Sequence, residues 1–288
     1  MTVHEMLTPL SGATMVVKFG GNAMVDDALS DAFAEDVVAL KSAGVRVIVT
    51  HGGGPQISAE LERVGLPSEF RGGLRYTTPD AALVVRRVLS DIGAELAARI
   101  DRVGGAARHV TGFDDELFLA RRRGTVVDGV EVDLGEVGEV VSVSPAVVLD
   151  AVAGGAIPVV SASAPDAEGA VLNVNADSAA ASLAVAVDAD ELVILTDVAG
   201  LYLAWPDPAS LVHELDADRL RGLLPSLEAG MIPKAAACLD ALDGGVARAR
   251  IIDGRVPHPL TREALGANGT TFTPATETAP QNAPRRNA

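Results

Sequence analysis

The 288-residue chain has one cysteine, one tryptophan, two tyrosines and only three lysines. A single thiol excludes an internal disulfide and any zinc site built from cysteines. No stretch approaches the roughly 20 consecutive apolar residues of a membrane span. The opening MTVHEMLTPL lacks the basic start and apolar core of a signal peptide, so a cytoplasmic protein without a membrane partner is expected. Positive charge is scarce too. A formal charge of −16 disfavours a nucleic-acid partner, because phosphate backbones are bound by a surplus of Lys and Arg. What is present is 48% hydrophobic residues, enough for one large domain or two lobes that share a sheet.

The scarcity of lysine is itself informative. The 23 basic residues comprise 20 arginines and Lys18, Lys41 and Lys234. Arginine has taken nearly every generic positive charge, so a retained lysine marks a place for a compact point charge that a planar guanidinium does not imitate. Drift in codon use is the plain alternative for any one of them. Two of the three, however, stand beside glycine turns: Lys18 precedes Gly20-Gly21, and Lys234 follows Gly230-Met231-Ile232-Pro233.

The hydrophobic pattern alternates between strand and helix. Met15–Phe19 reads as a buried strand, Asp26–Ser42 as a helix with Leu29, Phe33, Val37, Val38 and Leu40 on its apolar face, and Val45–Thr50 as a second strand. Helices are expected over Gln56–Val64 and Ala81–Val103, and hairpin-like strands over Val126–Val143 with turns at Asp128-Gly129 and Gly135. The second half repeats the alternation: strand Ile157–Ser161, loop Asn173–Asp177, helix Ser178–Val187, strand Glu191–Thr196, helices Leu215–Leu223 and Met231–Leu242, and strand Arg248–Ile252. This order implies an α/β fold with a parallel sheet covered by helices. After Pro274 the composition turns small, polar and Pro-containing, so disorder is expected there.

Four loops follow apolar strands: Gly20-Gly21, Gly52–Gly54, Asn173–Asp177 and the one after Asp197. Ligands of open parallel sheets bind beyond the carboxyl ends of the strands, which would turn these loops toward one crevice. Gly52-Gly53-Gly54 allows close backbone approach and N–H groups aimed at an anion, with a helix N-terminus behind them. Its spacing fits neither a dinucleotide fingerprint nor a Walker loop. Lys234 near a helix start suits a phosphate site. Asp177 either holds the two lysines by charge-assisted hydrogen bonds or caps a helix, and both roles are compatible. Arg75 has the geometry to grip a carboxylate, although an arginine after a loop is more often solvated. His51 reads as a strand-end residue, Cys238 as a small core hydrophobe, Arg121–Arg123 as a solvated charge run, and Trp205, Tyr202 and Phe113 as packing.

The motifs VVKFGGNAM (16–24), HGGGPQIS (51–58), GLRYTTPD (73–80), NVNAD (173–177), LTDVAGLY (195–202), GMIPK (230–234) and IIDGRVPH (251–258) resemble, in combination, the acetylglutamate kinases of the amino acid kinase family, actinobacterial type. The resemblance runs from about Met15 to Gly269. It implies a three-layer α/β/α sandwich around a mainly parallel open sheet, with two lobes sharing the sheet. A short segment 1–14 would precede an N-terminal lobe, 15–180, for acyl-amino-acid binding and dimerisation. A C-terminal lobe, 181–274, would bind ATP, and 275–288 would form the tail. The implied activity is ATP-dependent phosphorylation of the γ-carboxylate of N-acetyl-L-glutamate in arginine biosynthesis, with Mg²⁺ carried by ATP and no protein metal site. By the same resemblance Lys18 and Lys234 neutralise the transferring phosphoryl group and Asp177 organises them. Gly20, Gly21, Gly52, Gly53 and Gly54 offer the glycine-loop contacts, Arg75 and Asn173 hold the carboxylates of the acyl amino acid, and Thr196, Asp197, Gly230 and Met231 line the nucleotide side. A homodimer is implied. The chemistry agrees: a γ-carboxylate with a reference pKa of about 4.3 is already an ionised nucleophile at neutral pH and needs no general base.

Departures from the family pattern are local. Val88–Gly93 replaces a segment usually read G-Q-V-(N/Q) and is one residue short, and Val110–Asp115 stands where the family has G-L-(S/T)-G-x-D. Ala235–Ala237 follow Lys234 where bulkier or acidic residues are usual. Pro9 and Gly12 interrupt the segment before Met15, and the arginine-site signature around Leu260–Leu265 is eroded, so weak arginine feedback is expected. The alternatives are a paralogue acting on N-blocked aminoadipate or carrier-bound glutamate, and a non-catalytic sensor. The three charged residues of the site argue against the sensor.

Overall fold

The computed structural model describes residues 3–127, 129–263 and 269–275. Asp128, residues 264 and 265 of the arginine-site signature, and all of the expected tail but residue 275 lie outside the described residues. The chain opens with α1 (Val3–Leu7) and β1 (Thr14–Phe19), whose six residues are all buried. Asp26 accepts a hydrogen bond from Leu29 N at 3.0 Å and so starts α2 (Asp27–Ser42) one residue later than the pattern alone predicts. β2 (Arg46–His51) runs into α3 (Gly54–Arg63), which begins at Gly54 because Pro55 suits the first helical turn. The hairpin β3 (Glu69–Arg71) and β4 (Leu74–Tyr76) leads to α4 (Pro79–Arg102), capped by Thr78. Next come β5 (Ala107–Thr111), β6 (Phe118–Arg122), β7 (Thr125–Val127), β8 (Val130–Val132) and β9 (Val137–Val143), then α5 (Ala146–Ala153) and β10 (Ile157–Ser161).

Beyond β11 (Ser163–Pro165) the structure corrects one expectation. Asn173 lies on a strand, β12 (Val171–Val174), which pairs with β9 through Asn173 and Val174, and α6 (Ala176–Ala186) starts directly after it. The loop reading failed because a four-residue strand beside a cluster of Asn and Asp carries a weak local signal. β13 (Glu191–Thr196), β14 (Leu201–Tyr202), β15 (Leu211–Val212) and β16 (Glu214–Asp216) follow. α7 (Ala217–Leu223) starts two residues late, since Leu215 pairs with Phe272 in the sheet and Asp216 caps the helix. α8 (Ile232–Asp243), β17 (Arg248–Asp253), α9 (Pro259–Glu263) and β18 (Thr270–Thr273) complete the described chain. None of its helices is long and apolar enough to cross a membrane.

Eight strands form one sheet in the order β16-β18-β17-β13-β1-β2-β10-β5, and every pairing except β17–β18 is parallel. A second sheet has the order β11-β12-β9-β6. From β1 the chain builds outward through β2, then returns to place β13 on the opposite side of β1. That reversal opens a crevice at the carboxyl ends of β1, β2 and β13. Alternation along β1 sends Met15, Val17 and Phe19 into a core with α2, while Val16 and Lys18 face the α6 and α8 side. The two halves of the chain share this sheet, and α6 spans residue 180.

Candidate active site

Lys18 is buried at the end of β1, on the face toward α6 and α8. Those two helices are rich in alanine. Ala179, Ala180, Ala184, Ala235, Ala237 and Ala241 are all buried in one core, and such small side chains let helix backbones approach closely. Their N-termini thereby bring Asp177 and Lys234 beside Lys18. Lys18 Nζ stands 2.9 Å from Asp177 Oδ1, and Lys234 Nζ donates to Asp177 Oδ2 at 2.9 Å. The Lys18 contact is an ion pair outside hydrogen-bonding alignment, which leaves Oδ1 buried without an aligned donor. The helix cap is Asn175, whose side chain accepts from the Asp177 and Ser178 N–H groups at 2.9 and 3.0 Å. Asp177 is therefore free to serve the lysines. Burial opposes its ionisation, but Lys18 and Lys234 outweigh that and hold its carboxyl at about 2.

Two clefts flank this charge cluster. The larger, about 430 Å³, is lined by Lys18, Gly21, Thr196, Asp197, Gly230, Met231 and Lys234, together with Tyr202, Trp205, Leu227 and Glu228. The smaller, about 180 Å³, is lined by Gly52, Gly53, Gly54, Arg75 and Asn173 with Phe70 and Leu89. Lys18 is the hinge between them. A Cβ at Gly20 would overlap its ammonium at 2.3 Å, and one at Gly52 would stand 3.9 Å from its Cε. The clefts are thus separated by the width of one side chain.

The glycines divide by role. Gly52 N–H donates to Phe19 O at 2.9 Å, so the expectation that it is offered to a ligand is corrected: parallel pairing beyond β1 has claimed it. Gly53 and Gly54 N–H open α3 and have no acceptor among the described residues, as the first donors of a helix do. Gly21 requires its glycine, with φ +77° and a Cβ position 2.5 Å from Asp197 Oδ1.

In the smaller cleft Arg75 is buried, and its guanidinium donates to Ser58 Oγ at 2.9 Å, to Gly54 O at 3.2 Å and to Ser68 Oγ. Its ring-facing side lies 4.6 Å from the Phe70 centroid. All these partners are neutral, and no carboxylate among the described residues forms an ion pair with it. Burial pulls its pKa down, with no charged partner among the described residues to offset the desolvation. Asn173, which lines the same cleft, donates to Thr77 Oγ1 at 3.2 Å.

An Amino acid kinase family model matches residues 13–253. The chain belongs to that family. Among curated relatives, it is 56% identical to the acetylglutamate kinase of Saccharopolyspora erythraea, over 90% of this chain and 86% of that protein. It is 60% identical to that of Clavibacter sepedonicus, over 88% and 85%. Among solved structures, N-acetylglutamate synthase from Neisseria gonorrhoeae, bound to coenzyme A and N-acetyl-glutamate, superposes with a TM-score of 0.81 at 22% identity, covering 95% of this chain but only 62% of that one. Carbamate kinase from Giardia lamblia bound to AMP-PNP gives 0.66 at 16% identity, over 92% and 99%. Both structural likenesses bear on the fold alone.

Other parts of this amino acid kinase differ from the sequence reading. Trp205, expected as packing, is 50% exposed at the mouth of the larger cleft, edge-on to Tyr202 with centroids 5.0 Å apart. Ser58 and Ser68, which hold Arg75, are not among the candidates the sequence offers, although Ser58 lies one helical turn from Gly54 within HGGGPQIS and so on its face. Arg121–Arg123 are exposed, in agreement with a solvated charge run, and two of them also form surface ion pairs. Arg121 pairs with Glu139 at 2.6 Å, and Arg122 with Glu136 and Asp166 at 2.7 and 2.8 Å. Cys238, by contrast, is the core residue the sequence reading expects, and burial pushes its thiol up. Among the described residues no group of three or more His, Cys, Asp or Glu side chains could hold a metal ion.

Proposed function

We infer that this chain transfers the γ-phosphoryl group of ATP to the γ-carboxylate of N-acetyl-L-glutamate, a step of arginine biosynthesis, and releases ADP and N-acetyl-L-glutamyl 5-phosphate. The observation that carries the reading is the Lys18–Asp177–Lys234 cluster between two clefts, one of which holds a buried arginine that pairs with no carboxylate among the described residues. The identity to acetylglutamate kinases over most of both chains supports it.

The larger cleft receives the nucleotide and the smaller one the acyl amino acid. Arg75 and Asn173 take the carboxylates that do not react. The γ-carboxylate is already ionised, so one of its oxygens attacks the γ-phosphorus as the bond to ADP breaks, and no proton has to be removed. What opposes the step is the repulsion of two anions. Lys18 and Lys234 cancel charge on the transferring group, and the Gly53 and Gly54 N–H groups stabilise it from the acceptor side. Asp177 sets the spacing of the two ammonium groups. Mg²⁺, bound to the triphosphate, supplies further charge neutralisation. The N-terminal lobe (15–180) then serves the acyl amino acid and the C-terminal lobe (181–274) the nucleotide, in a cytoplasmic homodimer. Sedimentation equilibrium giving twice the 29.5 kDa chain mass is the expected result for the dimer.

Acyl-phosphate formation, trapped as hydroxamate with Mg-ATP, tests the function. N-acetyl-L-glutamate should turn over well, glutamate and N-acetyl-aminoadipate poorly, and Lys18→Ala and Lys234→Ala not at all. ATP binding without turnover of any of the three would overturn the reading.

A further inference from the structure

His51 ends β2 immediately before the glycine loop and is completely buried. Its Nδ1 lies 2.9 Å from Gly52 O, and its Nε2 lies 3.0 Å from Ser161 Oγ. A carbonyl oxygen only accepts, so Nδ1 carries the ring proton and Nε2 is the acceptor. Burial lowers the pKa to about 4 and keeps the ring neutral. Ser161 donates to Nε2, and its oxygen accepts in turn from His109 Nε2 at 3.0 Å. Leu89 O stands 3.0 Å from the same hydroxyl, so one proton is shared between the ring and the backbone of α4.

The room for this network comes from Gly93. Glycine inside a helix is destabilising relative to alanine, yet a Cβ there would stand 2.5 Å from His109 Nε2 and 2.6 Å from Ser161 Oγ. The stretch that ends at Gly93 and the stretch that follows His109 are two of the places, 88–93 and 110–115, where the sequence departs from the family motifs. In space they meet at Ser161.

The consequence lies in the peptide after His51. In a trans peptide the C=O and N–H point in opposite directions. Holding Gly52 O on the imidazole turns the Gly53 N–H away from it, and that N–H has no protein acceptor among the described residues while Gly53 lines the smaller cleft. We propose that His51 is a positioning residue for phosphoryl transfer: its Nδ1–H fixes the Gly52–Gly53 peptide so that Gly53 N–H faces the reacting anion, and Ser161 and His109 fix the ring. The inference rests on the phosphoryl-transfer reading above.

The two amide isosteres of histidine provide the test. Asn places its amide nitrogen where Nδ1 stood, whereas Gln places its own where Nε2 stood. His51→Asn should keep kcat/KM for N-acetyl-L-glutamate within about 5-fold, and His51→Gln should lose roughly 100-fold, at the low end of the loss of one oxyanion donor. KM for ATP should move less than about 2-fold in either. Ser161→Ala, which frees the ring but keeps Nδ1–H, should lose about 10-fold on the same substrate alone. Equal losses in the Asn and Gln variants, or a Ser161→Ala enzyme at the wild-type rate, would overturn the proposal. Nitrogen-15 NMR of the wild-type imidazole gives a readout that needs neither substrate nor variant. Protonated Nδ1 is expected, and a ring protonated only at Nε2 would also overturn the proposal. A wild-type enzyme inactive on N-acetyl-L-glutamate would instead count against the substrate reading, with the tautomer still deciding this one.

Discussion

Asp177 stays ionised against its own burial, because two ammonium groups 2.9 Å away outweigh the desolvation of its carboxylate. Asp177→Asn keeps the shape and removes the charge, leaving Lys18 and Lys234 to repel across a neutral amide. Loss of one partner from a buried ion cluster costs roughly 3–5 kcal/mol of stability, and kcat should fall at least about 100-fold. Hydroxamate assay and denaturant unfolding of the same variant measure both. The sign of its titration also matters. A carboxyl held at about 2 contributes stability that is full above its ordinary value of 3.8 and is lost progressively as pH falls from there through about 2. The kcat profile should therefore show no ionisation of Asp177 between pH 5 and 9. At the mouth of the larger cleft the lone tryptophan offers an apolar face beside Tyr202. Its fluorescence should be quenched by ATP but not by N-acetyl-L-glutamate. Trp205→Ala should raise KM for ATP about 3- to 10-fold with kcat little changed, in keeping with the loss of one aromatic contact.

At the scale of elements, the site is a set of strand ends and helix beginnings, and its two glycine turns serve different clefts. Gly21 follows β1 with φ +77°, where alanine costs roughly 1–2 kcal/mol, and its Cβ would displace Asp197. Gly53 precedes α3, and its Cβ would stand 2.7 Å from Ile92 Cδ1 and 3.2 Å from Leu89 Cδ2 on α4. Gly21→Ala should therefore raise KM for ATP about 10-fold and spare the acyl amino acid. Gly53→Ala should do the opposite. Steady-state kinetics with each substrate varied in turn would show the split, and the same rise for both substrates in either variant would contradict the division of the clefts.

For the whole molecule, the buried histidine ties the site to global stability. His51 is neutral when folded, with its pKa lowered from 6.5 to about 4 by burial. The unfolded chain takes up a proton that the native state refuses, so stability is full above pH 6.5 and falls as pH drops toward 4. The loss attributable to this ring is on the order of 3 kcal/mol. Urea unfolding at pH 7 and pH 4.5 should show it as a larger drop for the wild type than for His51→Asn, in which nothing at this position titrates.

Much of the fold was legible because its signals are local. The buried run MVVKF, α2 to within one residue of its start and the span of Ile157–Ser161 follow from patterning and side-chain chemistry that act within a few residues. The site was legible in part for the same reason: glycines, a lysine and an aspartate at element ends keep their meaning in any α/β sheet, and family motifs add to it. Sequence alone thus determined the alternation of elements, the family resemblance and the identity of the charged residues. Tertiary structure decided what depends on neighbours far along the chain. It placed β13 beside β1 and so set Lys18 against Asp177 and Lys234, spent the Gly52 N–H on Phe19, surrounded Arg75 with hydroxyls, and buried His51 against Ser161 and His109. The physical reason is that a hydrogen bond or an ion pair is fixed by where two groups meet in space, and for these residues, Arg75 with Ser58 and Ser68 apart, the meeting partner is 33 to 159 positions away.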